Sequence, residues 1–313
     1  MTAPLSNHGP SVPLQSADDA GCLCGVARAL DRDDGSRTLA ASYRLVAEHN
    51  AEFLLRELRQ ENGRLLRTWK RLPEQGEGAG RAKLNGYLED YSYLIEGLLE
   101  LYQTTFDPRW FSAAHELAET MIAHFQAPEG VQLARTGQLP SNASGIAGFY
   151  DTSDDHQTLI TRPRDLQDNA TPSGNAMAVT ALLKLAGLSD ETRYVDLAHE
   201  TLAQIQPMMA QFPLGFGQWL QALSYTLAKP KEIAIVGDLG SADTQALLNV
   251  VRSGYQPFQA AARGAPSALA SAVPLLQDRG LVKGHAAAYV CREFACQAPV
   301  TSPLELEKLL DVR

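Results

Sequence analysis

Six amphipathic helices joined mostly by short turns are predicted between about residues 38 and 228. In the first, apolar residues from Leu39 to Leu58 recur every three or four positions, as on one face of an α-helix. The same spacing predicts helices around 91–102, 110–125, 173–186, 194–205 and 216–227. Consecutive helices with short connections pack as antiparallel hairpins. Each pattern has a single apolar stripe, which favours a layered or toroidal array of hairpins over a bundle with a fully apolar central helix.

Local signals set the ends of these helices. Asn62-Gly63 tolerates left-handed backbone and ends the first helix. Asp107 followed by Pro108 is an N-cap with proline at the first helical position, and Ser173 is the N-cap expected for the fourth helix. These signals agree with the periodicity.

Two flanking segments differ from the array. Residues 1–36 show no period and are rich in Pro, Ser, Asp and Gly, which predicts a disordered leader. After Pro230 the pattern predicts strands at 232–236, 256–262 and 286–291, with Pro257 placing the second at a sheet edge, and helices at about 241–251 and after Ser302. The sequence therefore predicts a mainly α protein, with a partial (α/α)6 toroid at 37–229 and a small α/β appendage at 230–313.

The charge balance excludes some partners. Lys and Arg number 27 against 36 Asp and Glu, a net charge of −9, so we expect neither a nucleic-acid nor a membrane partner. No apolar run approaches the roughly 18 residues that a membrane span needs, and no secretory signal opens the chain. A cytoplasmic protein is expected.

The cysteines and histidines indicate no metal, cofactor or redox site. Four cysteines in 313 residues do not make a disulfide framework. Cys291 and Cys296 are spaced C-x4-C rather than C-x-x-C, which predicts that they are small buried apolar residues. Gly237 and Gly240 lack a nucleotide-binding motif, which leaves an ordinary turn between a strand and a helix.

The long loop between the third and fourth helices is the strongest candidate for a functional site, because loops of such length are usually functional or disordered. It concentrates carboxylates, guanidinium groups, a histidine and amides, which can bind a polyhydroxylated ligand, and paired carboxylates can act as general acid and base. We expect Asp151 and Asp168, with Asp90 from the second helix, to be catalytic. The expected ligand-binding residues are Tyr91, Tyr150, His156, Arg162, Arg164, Ser173 and Asn175.

Structural explanations stand beside this one. Asp168, Ser173 and Asn175 can simply cap the fourth helix, and Arg162 and Arg164 can pair with nearby acids. Asp90 lies in a helical first turn, where the helix dipole favours anions. Trp69 can stack on a sugar ring or pack on a helix end.

Four separated blocks resemble the C-terminal half of the spermatogenesis-associated, thioredoxin-domain family. They are LNGYLEDYSYLIEGLLELYQTTFDPRW (84–110), FYDTSDDHQTLITRPRDLQDNATPSGNA (149–176), PKEIAIVGD (230–238) and AYVCREFACQAPVTSP (288–303). The resemblance implies an (α/α)6 toroid of the six-hairpin glycosidase type, similar to the scaffold of N-acylglucosamine 2-epimerases. It also implies that Asp90, Tyr91, Tyr150, Asp151, Arg162, Asp168, Ser173 and Asn175 face a central funnel.

The family's thioredoxin-like domain and its C-x-x-C motif have no counterpart in the sequence, and six helices are half of a full toroid. A truncated member is therefore expected, and the family's thiol chemistry is not carried over. Two functions follow from this. One is binding of, or hydrolase- or epimerase-like action on, a sugar-like ligand. The other is a non-catalytic docking module, or an inactive fragment that pairs with a missing toroid half or a second copy.

Overall fold

A computed structural model describes residues 37–72, 80–127, 147–156, 162–253, 255–266, 271–293 and 295–311. Within them the chain forms eight α-helices and six β-strands. The leader predicted at 1–36 lies outside the described residues. No helix of the described part is long and apolar enough to cross a membrane.

The six predicted helices of the array are present and lie close to their predicted positions. They are α1 (Arg37–Glu57), α2 (Leu88–Thr105), α3 (Pro108–Phe125), α4 (Gly174–Ser189), α5 (Thr192–Gln211) and α6 (Gly217–Leu227). The two predicted N-caps form, since Asp107 accepts a hydrogen bond from the Arg109 amide and Ser173 accepts one from the Ala176 amide. The predicted end of the first helix at Asn62-Gly63 is wrong, because α1 ends at Glu57. The structure is therefore mainly helical, as the periodicity predicts.

Helices α2, α4 and α6 begin at the same end of the array. Phe125, which ends α3, packs on Tyr91 in the first turn of α2, with ring centroids 5.0 Å apart, so α3 runs back against α2. Gly174 at the start of α4 lies against Glu89 at the start of α2. Asp168 accepts hydrogen bonds from the amides of Ser173, before α4, and Gln218, in α6, both at 2.8 Å.

The environment of α4 differs from the prediction of one apolar stripe per helix. Every residue from Gly174 to Ser189 except Lys184 is buried, because α2, α5 and α6 all pack against this helix. Lys184 forms ion pairs with Glu96 and Glu100 of α2, at 2.8 Å for Glu100. Helix α4 is thus the centre of the array.

A β-hairpin that the sequence analysis did not predict follows α1. Strands β1 (Leu66–Arg71) and β2 (Gly80–Asn85) pair antiparallel, with Leu66 opposite Asn85. Both strands are largely exposed and rich in Arg and Lys, so they lack the alternation of apolar residues that identifies a strand. Trp69 packs edge-on against Phe53 of α1, at 5.2 Å between centroids, and covers Gly80.

The C-terminal part is a four-stranded sheet with two helices. Its elements are β3 (Lys231–Val236), α7 (Ala242–Arg252), β4 (Gln259–Gly264), β5 (Ala287–Arg292), β6 (Ala295–Cys296) and α8 (Pro303–Leu310). The strand order is β4-β3-β5-β6, with β4 parallel to β3 and β5 antiparallel to it. Strand β4 is at the edge that Pro257 predicts and begins two residues after it.

The sheet packs directly on the helical array. The Ala261 amide in β4 donates to Gln103 Oε1 of α2 at 2.9 Å. A Cβ added to Gly187 of α4 would lie 3.0 Å from Ala260 Cβ. Buried apolar residues of both parts belong to one continuous cluster. The division into two domains at residue 230 stays a prediction.

The expectation for Cys291 and Cys296 is wrong, because the two residues form a disulfide. They lie directly opposite each other in the antiparallel pair β5–β6. A tight turn between two strands places residues five apart as direct neighbours. The C-x4-C spacing matches no redox or zinc motif, and the register of β5 and β6 brings the two cysteines together.

Candidate functional site

The described part of the long loop packs against the starts of α2 and α4. The Leu88 amide donates to the Asp151 carbonyl, and the Asp151 amide donates to the Pro163 carbonyl, both at 2.9 Å. The Tyr150 amide donates to the carbonyl of Phe125 at 2.8 Å. We call this region the helix-start site, defined as residues 88–91, 147–156 and 162–177.

Asp151 is the most perturbed carboxyl of the helix-start site. Its Oδ2 accepts a hydrogen bond from the Asp165 amide at 2.7 Å. Burial, together with the carboxylates of Asp165 and Glu89, raises the pKa of Asp151 to about 6, against the opposing effects of the Asp165 amide and Arg164. A carboxyl group with this pKa can donate or accept a proton near neutral pH.

Asp90 is held in the first turn of α2. Its Oδ2 accepts from the Tyr87 amide at 2.7 Å and from Arg67 Nη1 at 2.9 Å. Burial raises the pKa of Asp90, against the hydrogen bond from Tyr87 and the charge of Arg67. Arg67 also pairs with Glu89 at 2.7 Å, so one guanidinium group binds the carboxylates of two adjacent residues.

The contacts of Arg67 were not predicted from the sequence. Arg67 lies on β1, and its guanidinium carbon lies 4.4 Å from the ring centroid of Tyr87. This contact depends on the β1–β2 hairpin. The sequence of the hairpin lacks the alternation of apolar residues that would predict its strands.

Two arginines hold the loop around Tyr150. The Arg162 guanidinium carbon lies 4.1 Å from the Tyr150 ring centroid, and the Arg164 carbon lies 5.4 Å from it. Arg162 donates to the carbonyls of Thr152 and His124. Arg164 donates to those of Phe149 and Ala147, at 3.0 and 3.1 Å. Both groups therefore position loop backbone as well as bringing positive charge to the site.

Buried nitrogen atoms of this region have unused hydrogen-bonding capacity. Asn175 is fully buried, and its Oδ1 accepts from the Phe149 amide at 2.8 Å. Within the described residues, Asn175 Nδ2, Arg162 Nε and His156 Nδ1 have no hydrogen-bond partner. Buried polar groups usually find partners, so these three nitrogen atoms are exceptions to that rule.

Three predicted site residues have structural contacts instead. Tyr91 is fully buried, and its hydroxyl accepts from the Leu65 amide at 2.7 Å. Asp168 joins the starts of α4 and α6, and Ser173 caps α4, as the structural explanation for these residues states. We do not carry these three into the ligand site.

An ion pair between buried Arg64 and half-exposed Asp155 holds one side of the loop. Arg64, whose side chain is 8% exposed, makes two hydrogen bonds of 2.8 and 2.7 Å to Asp155. Ser153 Oγ donates to the same carboxylate at 2.7 Å. The sequence analysis missed Arg64, which lies 91 residues from its partner. Among the described residues, no cluster of three or more His, Cys, Asp or Glu side chains could hold a metal ion.

Comparison with known proteins gives one consistent group of relatives. No family model matches the chain. It is 32% identical to human "Spermatogenesis-associated protein 20" over 268 residues, which are 84% of this chain and 32% of the human protein. The rat and mouse proteins of the same name are 31% and 32% identical over 273 and 272 residues, again 84% of this chain and 32% of theirs. The chain thus spans about a third of the length of these relatives.

Proposed function

This chain belongs to the family of spermatogenesis-associated protein 20, and we propose that its helix-start site binds a carbohydrate-type ligand. We also infer that the hairpin array is a segment of an (α/α)6 toroid of the six-hairpin glycosidase type. Supporting this, α2, α4 and α6 start at one end while α3 runs back beside α2. Helices of an α/α toroid alternate in this manner, with loops at one end forming a funnel.

The observation that carries the proposal is the setting of Asp151. Its carboxyl group has a pKa raised to about 6 and is flanked by Glu89 and Asp165 at a place where two helices begin. Burial of an acid beside other acids destabilises its ionised form, and carboxyl groups with such perturbed pKa values cluster at functional sites. The charge of Arg164 acts on Asp151, and both Arg164 and Arg162 lie over the Tyr150 ring. Guanidinium groups and aromatic rings recognise sugar hydroxyls and sugar faces.

The arrangement supports acid–base chemistry on such a ligand. Neutral Asp151 can protonate a glycosidic or ring oxygen, and ionised Asp151 can remove a proton. The carboxylates of Asp90 and Glu89, oriented by Arg67, provide negative charge that can stabilise a cationic sugar intermediate. We therefore propose a hydrolase- or epimerase-like reaction with Asp151 as the proton-transferring group and Asp90 as its partner.

A ligand screen tests the proposal. Thermal unfolding of the purified chain is followed with a panel of neutral sugars, amino sugars and sugar phosphates. We expect at least one to raise the melting temperature of the wild type and to lose this effect in Asp151→Asn, whose shape is nearly unchanged. Asp196→Asn is the control, because Asp196 is exposed on α5 and lies outside the helix-start site. Absence of any shift across the panel contradicts the proposal, as does an equal shift in Asp151→Asn.

A second candidate function rests on α1. Leu39, Leu45 and Val46 are 49%, 51% and 45% exposed on this helix, although Ala40 and Ala47 are buried. Exposed apolar side chains on one helix are typical of a docking surface. We propose as the alternative that α1 docks against a partner helix. Light scattering and binding of a hydrophobic dye, measured on the purified chain and on Leu45→Lys, test this. A monomer that binds no dye contradicts it.

A further inference from the structure

We propose that Cys291 and Cys296 form a thiol–disulfide exchange site for low-molecular-weight thiols such as glutathione. The disulfide lies far along the chain from the helix-start site, and the carbohydrate proposal does not involve it. Its surroundings differ from those of a purely structural disulfide in three respects: the loop it closes, the charge beside it and the accessibility of its two sulfurs.

The loop that the disulfide closes is very short. The two cysteines are five residues apart and are direct partners in the β5–β6 pairing, with Cα atoms 3.9 Å apart. Closing so short a loop removes little conformational freedom from the unfolded chain. The strand pairing already holds the two residues together. Stabilisation of the fold is therefore a weak reason for this bond.

A positioned guanidinium group touches both sulfur atoms. Arg279 Nη2 lies 3.2 Å from Cys291 Sγ and 3.0 Å from Cys296 Sγ. The same side chain donates to the Leu275 carbonyl and lies over the Tyr289 ring, at 5.6 Å from its centroid. A neutral disulfide gains little from an adjacent positive charge, whereas a thiolate is strongly stabilised by one. Arg279 can thus stabilise a thiolate at this site, where the carboxylates of Asp190 and Glu232 also act on its charge.

The two sulfurs differ in accessibility. Cys291 is 1% exposed, whereas Cys296 lies on the exposed short strand β6. An incoming thiolate can therefore reach Cys296 from solvent while Cys291 stays buried beside Arg279. Reactive disulfides commonly pair one accessible sulfur with one protected sulfur.

The exchange balances with two thiols. The thiolate of one glutathione attacks Cys296 Sγ, the Cys291–Cys296 bond breaks, and its electron pair goes to Cys291 Sγ beside Arg279. A second glutathione thiolate attacks the glutathione sulfur of the mixed disulfide and releases Cys296 Sγ. The products are oxidised glutathione and two cysteine thiols, which take up the two protons of the glutathione thiols. Oxidation runs the same steps in reverse.

Redox titration gives the first test. In a Cys22→Ser/Cys24→Ser background, all thiols come from the two cysteines of the site. The folded protein is equilibrated with mixtures of reduced and oxidised glutathione, quenched with acid, alkylated and weighed by mass spectrometry. We expect a reversible gain of two thiols while the circular dichroism spectrum stays native. A disulfide that resists excess reduced glutathione in the folded protein overturns the proposal.

Trapping the mixed disulfide tests the assigned roles. With oxidised glutathione, the Cys291→Ser variant should gain one glutathione on Cys296, and the Cys296→Ser variant should gain none on buried Cys291. Adducts on Cys291, or on neither residue, contradict the assignment.

The effect of Arg279 on the reactivity of Cys296 can be measured separately from any effect on folding. In the Cys291→Ser form of that background, the alkylation rate of Cys296 is measured against pH. Arg279→Gln should slow alkylation at pH 7 about tenfold, by moving the thiol pKa towards its ordinary value of about 8.5, and Arg279→Lys should keep most of the rate. Arg292→Gln is the control, because Arg292 pairs with Asp311 instead. If the pH dependence of Cys296 alkylation is the same with Arg279 and with Arg279→Gln, the proposal is overturned.

Discussion

Asp151 is a single residue whose surroundings oppose its ionisation. Burial and two neighbouring carboxylates raise its pKa to about 6. In the unfolded chain the same group ionises near pH 4. Between these values the folded protein keeps a proton that the unfolded chain has lost, so stability falls as the pH rises from about 4 to about 6. The helix-start site thus lowers the stability of the fold at neutral pH.

The variant Asp151→Asn should therefore be more stable than the wild type at pH 7.5. Its amide oxygen can still accept the hydrogen bond of Asp165, and it carries no charge. The difference should reach at most about 3 kcal/mol above pH 6 and should vanish near pH 4. Urea unfolding of both proteins at several pH values measures it. A pH-independent difference, or a less stable variant at pH 7.5, contradicts this expectation.

Asp155 should show the opposite behaviour. Burial opposes its ionisation, but hydrogen bonds from Ser153 and Arg64 outweigh burial and lower the pKa of Asp155. Its stabilisation is present above about pH 4 and is lost as the pH falls through the lowered folded value. Asp155→Asn should cost about 1–2 kcal/mol at pH 7, discounted for the exposed carboxylate, and less below pH 4. The same urea series tests it, and an Asp155→Asn variant as stable as the wild type at pH 7 would contradict a stabilising Arg64–Asp155 pair.

Gly80 has a packing role that its own conformation does not reveal. A Cβ at this position would lie 2.0 Å from Trp69 Cζ2, so the indole ring would have to move. We expect Gly80→Ala to destabilise the protein by about 1–2 kcal/mol and to shift the tryptophan emission. Gly215→Ala is the matched control, because nothing lies within 4 Å of its added Cβ. Equal urea midpoints for both variants would contradict the packing of Trp69 on Gly80.

At the scale of elements, the helices could be predicted from the sequence and one hairpin could not. Helices of this array other than α4 have apolar residues that recur every three to four positions, and Asp107 and Ser173 mark two of the helix starts. Strands β1 and β2 bury little on either face, so their sequences carry no period. The disulfide between β5 and β6 was missed for a related reason, since strand register and not spacing alone brings cysteines together.

The residues that the sequence suggested for the candidate site lie in the long loop and at the helix starts beside it. Tyr150, Asp151, Arg162 and Arg164 lie in the loop that the sequence singled out, and the fold brings them together with Asn175. Arg64 and Arg67 reach the region from the segment after α1, and no local pattern indicates such long-range ion pairs. Asp168 and Ser173 fit the simpler explanation of helix capping.

The ion triad between α2 and α4 gives a prediction at the element scale. Lys184 lies between Glu96 and Glu100, and all three side chains are less than one-fifth exposed. Lys184→Met would leave two carboxylates close together without their cation, and we expect a loss of about 3 kcal/mol. Lys229→Met, which breaks the exposed pair with Glu293, should cost less than about 1 kcal/mol. Similar urea midpoints for the two variants would contradict this ranking.

At the scale of the whole molecule, one apolar cluster joins the helical array to the C-terminal sheet. Leu182 and Leu185 of α4 belong to the same cluster as Ile233 and Ile235 of β3. Removing either part would expose this shared surface to water, which is costly in proportion to the apolar area. We therefore expect the two parts to unfold together.

Native-state hydrogen exchange tests that expectation. The amides of Leu182 in α4 and Ile233 in β3 should exchange through one global opening, with free energies that agree within about 1 kcal/mol. The exchange free energies of both amides should decrease in parallel as urea is added. Earlier loss of protection in β3 than in α4 would show that the sheet is an independent unit.

The central claim is that the fold builds an acid–base site around Asp151. Its most direct test is a pH titration of the ¹³C-labelled aspartate carboxyl groups by NMR, with the Asp151 signal assigned from its absence in Asp151→Asn. The account predicts a titration midpoint near pH 6, well above the ordinary value of about 4. It also predicts that the signal moves when a ligand found in the sugar screen is added. A midpoint near pH 4, with no response to any sugar, would contradict the account.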